Sequence, residues 1–158
     1  MSIVAGYELT PMVGDPDDHR PGTWWAVLAD PGEPGERVDD LVAIVERIGV
    51  GDRIPLHVHR VSEVIFAHGP GEQRLGDERR PVGDGDVVFI PAGVPHGLRN
   101  TGDAPLRVEA IFPSDRVWLR YLERNPAPGT EAAEPGALTF IVRTGEVISD
   151  TDQADTVG

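Results

Sequence analysis

Several short runs of this chain place an apolar residue at every second position. Residues 106–112 show the clearest alternation, since Leu106, Val108 and Ala110 are separated by charged neighbours. Because successive side chains of a β-strand point to opposite faces, this pattern predicts a strand with one buried face. Further apolar runs predict strands at 23–28, 40–48, 86–90, 96–100 and 138–142. Short strands separated by glycine and proline predict an all-β fold, an antiparallel β-sandwich or jelly-roll barrel.

The segments between these runs predict loops and turns. Residues 8–22 and 29–40 are rich in Pro, Gly and Asp, and residues 125–136 form a similar linker. Residues 73–78 predict a hairpin, with Gly76 and Asp77 at its turn.

One segment near the C-terminus shows helical spacing instead. Val117, Trp118, Tyr121 and Leu122 fall at the i, i+3, i+4 positions of an apolar stripe. With Ser114 as a candidate N-cap, this spacing predicts a short helix over residues 115–124. Such a helix would cover an open edge of the sandwich, or alternatively form a lid over a pocket.

Three histidines and one glutamate indicate a metal site. His57 and His59 are two residues apart on a predicted strand, so they face the same side. Glu63 opens the next apolar run, and His96 follows a turn rich in proline and glycine. Imidazole nitrogens with one carboxylate suit iron, manganese, nickel, copper or zinc better than calcium or magnesium. The remaining two histidines, His19 in a polar loop and His68 on the opposite side of its strand from Glu63, are not predicted ligands.

The same alternation predicts what surrounds this site. If Glu63 faces inward, then Ile65 and Ala67 on its strand do as well, together with Leu98 and Asn100 beside His96. The cavity would be largely apolar, which favours a small organic substrate with one metal-binding oxygen over a sugar phosphate.

These residues resemble the two sequence motifs of the cupin superfamily. The second motif is matched at every fixed position, by Gly85, Pro91, Gly93, His96 and Asn100. The first motif is matched by Gly51, His57, His59 and Glu63, but Pro70 stands where its last glycine is expected. The two motifs cover residues 51–100, and the difference at Pro70 affects a hairpin turn and none of the proposed ligands.

The resemblance implies one cupin-like domain over residues 1–158. We expect an N-terminal arm and loops at 1–39, a barrel core at 40–112, and a helix, a strand and a disordered acidic tail at 113–158. A late strand in a small β-barrel protein often joins the sheet of a neighbouring subunit, so a homodimer is expected.

Composition excludes several classes of protein. The formal net charge of −13 disfavours nucleic-acid binding. The chain has no cysteine, which excludes thiolate ligands and disulfides, and its 14 basic residues are all arginine, which excludes a lysine Schiff base. No apolar run is long enough to span a membrane, and the first residues lack the features of a secretory leader. A cytoplasmic protein is therefore expected.

Together these features predict a metal-dependent enzyme of the cupin type that acts on a small, fairly apolar metabolite. One divalent transition metal ion would be held by His57, His59, Glu63 and His96, with coordination positions left for substrate or dioxygen. Glu63 is also the candidate catalytic base, because the motifs contain no separate one. Dioxygenase-type chemistry is the leading hypothesis. The alternatives are a redox-neutral cyclase, lyase or isomerase, and a non-catalytic metabolite- or metal-binding module.

Overall fold

In a computed structural model, residues 2–149 are described, and they form thirteen β-strands. In chain order these are β1 (Thr10–Met12), β2 (Arg20–Ala29), β3 (Val42–Ile48), β4 (His57–His59), β5 (Glu63–His68), β6 (Gly71–Leu75), β7 (Glu78–Val82), β8 (Val87–Ile90), β9 (His96–Asn100), β10 (Leu106–Phe112), β11 (Arg116–Tyr121), β12 (Ala137–Ile141) and β13 (Glu146–Ser149). Among the described residues, no helix is long and apolar enough to cross a membrane.

The strands form two antiparallel sheets, as the hydrophobic pattern predicts. The first sheet has six strands, in the spatial order β1, β2, β3, β10, β5, β8. The second has seven, in the order β13, β12, β11, β4, β9, β6, β7. Consecutive strands β4 and β5 lie in different sheets, so the chain crosses the interior between His59 and Glu63. This crossing brings side chains from both sheets into one core.

Strand alternation decides which residues enter that core. On β10, Leu106, Val108 and Phe112 are almost fully buried, and on β5 Ile65 is buried while Phe66 is exposed. The main cluster combines residues of both sheets: Val42, Ile48, Ile65, Ile90, Leu98, Leu106, Val108, Ala110, Phe112, Val117 and Val142. Burial of these apolar side chains supplies the main favourable free energy of folding.

The predicted helix over residues 115–124 is wrong, because this segment contains strand β11. β11 pairs with β4 on one side and with β12 on the other, so a helix here would leave the backbone groups of both neighbours without partners. Its side chains alternate in burial, with Val117 and Tyr121 buried and Arg120 exposed. In so short a segment the helical spacing also fits a strand rich in β-branched and aromatic residues.

Both ends of the chain contribute strands to the two sheets. The predicted loop at 8–22 contains β1 and the start of β2, and β2 pairs with β3 in the first sheet. At the other end, β12 pairs with β11 of the same chain and forms a hairpin with β13. The predicted hairpin at 73–78 is formed by β6 and β7 around Gly76 and Asp77. The predicted acidic tail lies outside the described residues, apart from Ser149, which ends β13.

A tight turn places β9 beside β4. The backbone N–H of Val94 donates to the carbonyl of Pro91 at 3.2 Å, and Gly93 between them has φ 80°. A type II turn requires positive φ at this position, which glycine adopts without a steric penalty. The N–H of Gly93 also donates to the carbonyl of His59 at 2.8 Å, so the turn is anchored to the strand that carries two of the predicted ligands.

Asn100 holds a loop together and does not line the cavity as predicted. Its side-chain nitrogen lies 2.9 Å from the carbonyl of Ile48, 3.1 Å from that of Gly49 and 2.8 Å from that of Ala104. Its side-chain oxygen accepts the backbone N–H of Gly102 at 2.9 Å. One buried amide thus satisfies backbone groups of two separate segments.

Replacing Asn100 with alanine is expected to destabilise the protein by about 3 kcal/mol, because it leaves several backbone groups without partners. Urea unfolding measures the change. Thr101→Ala, at the exposed neighbouring position, is the control and is expected to change stability by less than about 0.5 kcal/mol. A loss at Asn100 as small as that of the control would contradict the structural role.

Candidate metal centre

The three predicted histidines come together on the inner face of the seven-stranded sheet. His57 on β4 lies directly opposite His96 on β9, and the centroids of the two rings are 4.3 Å apart. His59, two residues further along β4, points to the same face, with its ring centroid 4.6 Å from that of His96. All three side chains are buried. The three histidines therefore cluster for two reasons. His57 and His59 are two residues apart on β4, and His57 pairs with His96 across the strands.

Glu63 reaches the histidines from the opposite sheet. It begins β5 in the six-stranded sheet, and its side chain is buried. One carboxylate oxygen, Oε2, lies 2.9 Å from Nε2 of His96 and 3.7 Å from Nε2 of His59. The predicted set of four residues is thus brought together, and each of the four offers one ligand atom within 4.8 Å of all the others.

Backbone hydrogen bonds orient the imidazole rings. Nδ1 of His57 donates to the carbonyl of Pro55 and Nδ1 of His96 to that of Val94, each at 2.8 Å. The ring of His59 has a backbone partner at Val61. When a neutral imidazole donates through one nitrogen, the other carries only a lone pair. The Nε2 atoms of His57 and His96 therefore point lone pairs into the centre.

Burial keeps the imidazoles of His57 and His59 neutral. Desolvation and the neighbouring His96 and His59 hold the pKa of His57 well below its usual range. Desolvation and His96 lower the pKa of His59 to about 3. Burial also raises the pKa of Glu63, against the opposing effect of His96. Neutral imidazoles are the form that binds metal ions.

The donor atoms fit a transition metal ion. Among the described residues, Nε2 of His96 and Oε2 of Glu63 are both buried without a further hydrogen-bond partner, and they lie 2.9 Å apart. Two lone pairs that face each other in this way need a cation between them, either a proton or a metal ion. Nε2 of His57 and Nε2 of His59 are 3.0 Å apart. Two atoms each about 2.1 Å from one ion are about 3.0 Å apart at a right angle and about 3.4 Å apart at a tetrahedral angle.

The four residues lie on the wall of a cavity of about 460 Å³ between the two sheets. Most of its lining is apolar and includes Trp25, Ile44, Phe112, Leu119 and Phe140. Ile65 and Leu98 line it as the alternation predicts. A cavity of this size accommodates a small organic molecule next to the four ligands.

Tyr121 on β11 is a polar cavity residue that the predicted helix obscured. It lies opposite His57 in the strand pairing, and its hydroxyl donates to a carboxylate oxygen of Asp15 at 2.6 Å. Burial, together with the charges of Asp18 and Asp15, raises the pKa of Tyr121 well above its usual range. The phenol therefore keeps its proton at the cavity wall. The alternation of Val117, Leu119 and Tyr121 was the sequence signal for this inward face.

A buried charged cluster also lines the cavity and had no signal in the motifs. Arg20 donates to both carboxylate oxygens of Asp18 at 2.8 Å, and its Nη1 donates to Glu46 at 2.7 Å. Arg20 and Asp18 are at most 3% exposed, and Glu46 is 8% exposed. We call these three residues the buried charge triad. Asp18 and Arg20 are two residues apart, but Glu46 comes from β3, 26 residues after Arg20, so no local spacing connects it to the other two.

The buried charge triad carries one excess negative charge. Burial alone would lower the pKa of Arg20, but Glu46 and Asp18 together raise it well above its usual range, so the guanidinium stays charged. Burial raises the pKa of Asp18 to about 6, against the opposing effect of Arg20. One guanidinium therefore does not fully compensate two buried carboxylates.

The four residues of the candidate metal centre lie in a segment that matches a known protein family. Residues 44–112 match the sequence model of the cupin domain. Quercetin 2,3-dioxygenase of Bacillus subtilis is 33% identical over 95 residues, which cover 58% of this chain and 28% of that protein. The aligned segments span half or less of the curated relatives that the chain matches.

Solved structures share the fold. The polyketide cyclase RemF from Streptomyces resistomycificus superposes with a TM-score of 0.63 at 23% identity, covering 82% of this chain and 91% of that one. A sugar phosphate isomerase of the cupin superfamily from Silicibacter pomeroyi gives a TM-score of 0.63 at 16% identity, covering 91% of this chain and 88% of that one. The chain therefore contains a cupin domain at residues 44–112 and shares its overall fold with these proteins.

Proposed function

We propose that this protein is a mononuclear metal enzyme that acts on a small, uncharged and fairly apolar metabolite, with dioxygenase-type chemistry. The metal ion would be held by His57, His59, Glu63 and His96. The observation that carries the proposal is the convergence of four buried ligand atoms, within 4.8 Å of one another, on the wall of a largely apolar cavity. A metal-free sugar epimerase of the same fold would not need this set.

The charges around the cavity support an uncharged substrate. Of the residues that the structure describes, Asp15, Asp18, Glu46 and Glu63 all line the cavity, and Arg20 is the single arginine there. Arg20 is already paired with two carboxylates, so it does not offer a free guanidinium for a substrate anion. A carboxylate or phosphate group away from the metal would face uncompensated negative charge in a medium of low dielectric.

The protein's own groups would bind the substrate, exclude water and move a proton. A bound transition metal ion would supply a Lewis acid for a substrate oxygen and, if redox-active, a route for electrons to dioxygen. The apolar walls exclude water from the reacting atoms. Glu63 is the proposed base: its Oε2 lies at the centre, and burial raises the pKa of its carboxyl group, which makes the carboxylate a stronger base.

Dioxygenase chemistry is supported by the fact that it requires no cofactor beyond the metal ion. Both atoms of dioxygen enter the product and the substrate supplies all four electrons, so the reaction needs no separate reductant. The likeness to quercetin 2,3-dioxygenase, at 33% identity over 95 residues, also supports this chemistry.

A redox-neutral cyclase, lyase or isomerase is the second candidate, and the pair formed by Tyr121 and Asp15 favours it. The neutral phenol of Tyr121 at the cavity wall lies 6.4 Å from His57 between ring centroids, and although its proton is donated to Asp15, its oxygen can accept a hydrogen bond from a substrate hydroxyl. Such a contact would position a substrate for proton transfer to the base Glu63, a step that cyclisation and isomerisation use without oxygen. A non-catalytic binding module is the third candidate. The expected homodimer and the cytoplasmic location stay predictions.

Oxygen uptake tests the leading candidate. Protein reconstituted separately with iron, manganese, nickel, copper or zinc is supplied with flavonols, catechols and enols in an oxygen electrode. We expect uptake of one O₂ per substrate consumed with at least one redox-active ion. Glu63→Gln, with its metal content verified, is expected to lower turnover by about 100-fold or more, whereas the exposed Glu72→Gln serves as control. Equal turnover without oxygen would contradict the dioxygenase and favour the redox-neutral candidate, and bound ligand without turnover would favour the binding module.

A further inference from the structure

Gln73 is a polar residue on the cavity wall with no assigned role. It lies in the middle of β6, faces inward between Gly71 and Leu75, and is 1% exposed. It lines the same cavity as the four metal-site residues. A glutamine this deeply buried needs a partner for each end of its amide.

The orientation of the Gln73 amide is determined by its surroundings. Its nitrogen Nε2 lies 3.1 Å from the carbonyl of Arg74 and 3.1 Å from that of Gly97. Both neighbours are acceptors, so the nitrogen and not the oxygen must face them. The oxygen Oε1 is consequently held on the other side of the amide.

Oε1 of Gln73 is buried and has no hydrogen-bond partner among the described residues. A buried carbonyl oxygen without a donor is unfavourable, because it has lost its hydrogen bonds to water. Arg20 and Tyr121 on the same wall are paired, Arg20 with Asp18 and Glu46, and Tyr121 with Asp15, whereas the unpaired atoms of Glu63 and His96 belong to the metal centre. An acceptor without a donor at the wall of an apolar cavity, outside the metal centre, is suited to a ligand that brings a donor.

The strand pairing places Gln73 close to the metal ligand His96. Gln73 pairs with Leu98, and Leu75 pairs with His96. Gln73 and His96 are therefore diagonal neighbours on the same inner face, a relation that separates side chains by about 7 to 8 Å. A ring compound with an oxygen at the metal can present a second substituent at that distance.

We propose that Gln73 is a specificity-determining residue, whose Oε1 accepts a hydrogen bond from a hydroxyl or N–H group of the substrate. This inference rests on the proposed function and narrows its substrate class. The substrate carries one oxygen for the metal and, on the same neutral skeleton, a separate hydrogen-bond donor. An analogue with a methoxy or carbonyl group at that place is rejected, because two acceptors would face each other in a buried site.

The binding of flavonols to the zinc-loaded protein tests this role, since zinc has no redox chemistry and turnover by oxygen is avoided. The probes are quercetin and analogues that each lack one hydroxyl outside its metal-binding pair. Dissociation constants are measured by titration calorimetry for the wild type and for Gln73→Met. Loss of one particular hydroxyl is expected to weaken binding to the wild type by about 10-fold, the equivalent of one hydrogen bond. The same loss is expected to change binding to Gln73→Met by less than about 2-fold.

Leu98→Met is the matched control. It alters the cavity wall beside Gln73 at similar volume without adding or removing an acceptor, so it is expected to keep the discrimination of about 10-fold. A second measurement needs no variant: the methyl ether of the discriminating hydroxyl, which cannot donate, is expected to bind the wild type no better than the analogue that lacks it.

The outcomes separate this inference from the proposed function. If every hydroxyl contributes equally in the wild type and in Gln73→Met, or if the methyl ether binds as tightly as the hydroxyl, the role of Gln73 is overturned while the metal enzyme stands. If the zinc-loaded wild type binds none of the probes, the proposed substrate class is overturned, and the role of Gln73 with it.

Discussion

Replacing His57 or His96 with alanine is expected to abolish stoichiometric metal binding. Each variant removes one of four converging ligand atoms and leaves the remaining buried groups without a complete set. Loss of a group that merely orients a ligand usually costs 10- to 100-fold in metal affinity, so loss of a ligand itself is expected to exceed about 100-fold. Elemental analysis of protein purified without chelators measures the metal content.

His68→Ala is the matched control for both histidine variants. His68 lies on β5 but faces outward beside Glu109, away from the centre. We expect this variant to keep one metal ion per chain. Metal removal by a chelator is expected to lower the melting temperature of the wild type and of His68→Ala, but not that of His57→Ala, because an ion that binds only the folded state stabilises it. Stoichiometric metal in both His57→Ala and His96→Ala would refute the assignment.

Replacing Arg20 with methionine is expected to cause the largest loss of stability. The variant removes the guanidinium that pairs with Asp18 and Glu46 and leaves two carboxylates buried without a cation. Breaking a buried ion pair from one side typically costs about 3 to 5 kcal/mol. Because the free energy of unfolding of such domains is about 5 to 15 kcal/mol, this loss would remove a large part of it. Urea unfolding at pH 7 measures the difference.

Two further variants separate the charge effect from the loss of a long side chain. Arg80→Met removes an exposed arginine paired with Glu78, and it is expected to cost less than about 1 kcal/mol. The second variant adds Asp18→Asn and Glu46→Gln to Arg20→Met. It removes the two unpaired carboxylate charges, so it is expected to recover part of the free energy of unfolding that Arg20→Met loses. If Arg20→Met is no more destabilising than Arg80→Met, the buried charge triad does not have the proposed energetic role.

The triad also predicts how the stability of Arg20→Met changes with pH. The pKa of Asp18 is raised from 3.8 to about 6 by burial even with Arg20 present. Without the guanidinium, which lowers this pKa, Asp18 binds a proton more readily in the folded state than in the unfolded state. The free energy of unfolding of Arg20→Met is therefore expected to rise as pH falls from 7 toward 5.

The metal-site residues were predictable because their arrangement depends on local rules. The spacing of His57 and His59 specifies a shared face on any strand, and positive φ at Gly93 specifies the turn that leads to His96. The alternation around Glu63 likewise specified its inward direction. Each rule operates over a few residues, and the chain obeys all of them.

The segment over residues 115–124 shows where local rules failed. Its apolar residues fit both a helical stripe and an alternating strand, and the choice was decided by the partners β4 and β12. Those partners come from segments distant in sequence. With the strand in place, Tyr121 enters the cavity and Arg60 stacks on Trp118, with the guanidinium 3.9 Å from the ring centroid.

The sequence by itself determined the fold class, the four candidate ligands and the apolar character of the cavity, because strand periodicity and turn chemistry are properties of neighbouring residues. Only the tertiary structure decided that Glu63 comes from the opposite sheet, that Arg20 is buried between Asp18 and Glu46, and that Oε1 of Gln73 has no hydrogen-bond partner among the described residues. These features depend on which strands pair and on the pairing register, and that choice is made by the packing of the whole chain.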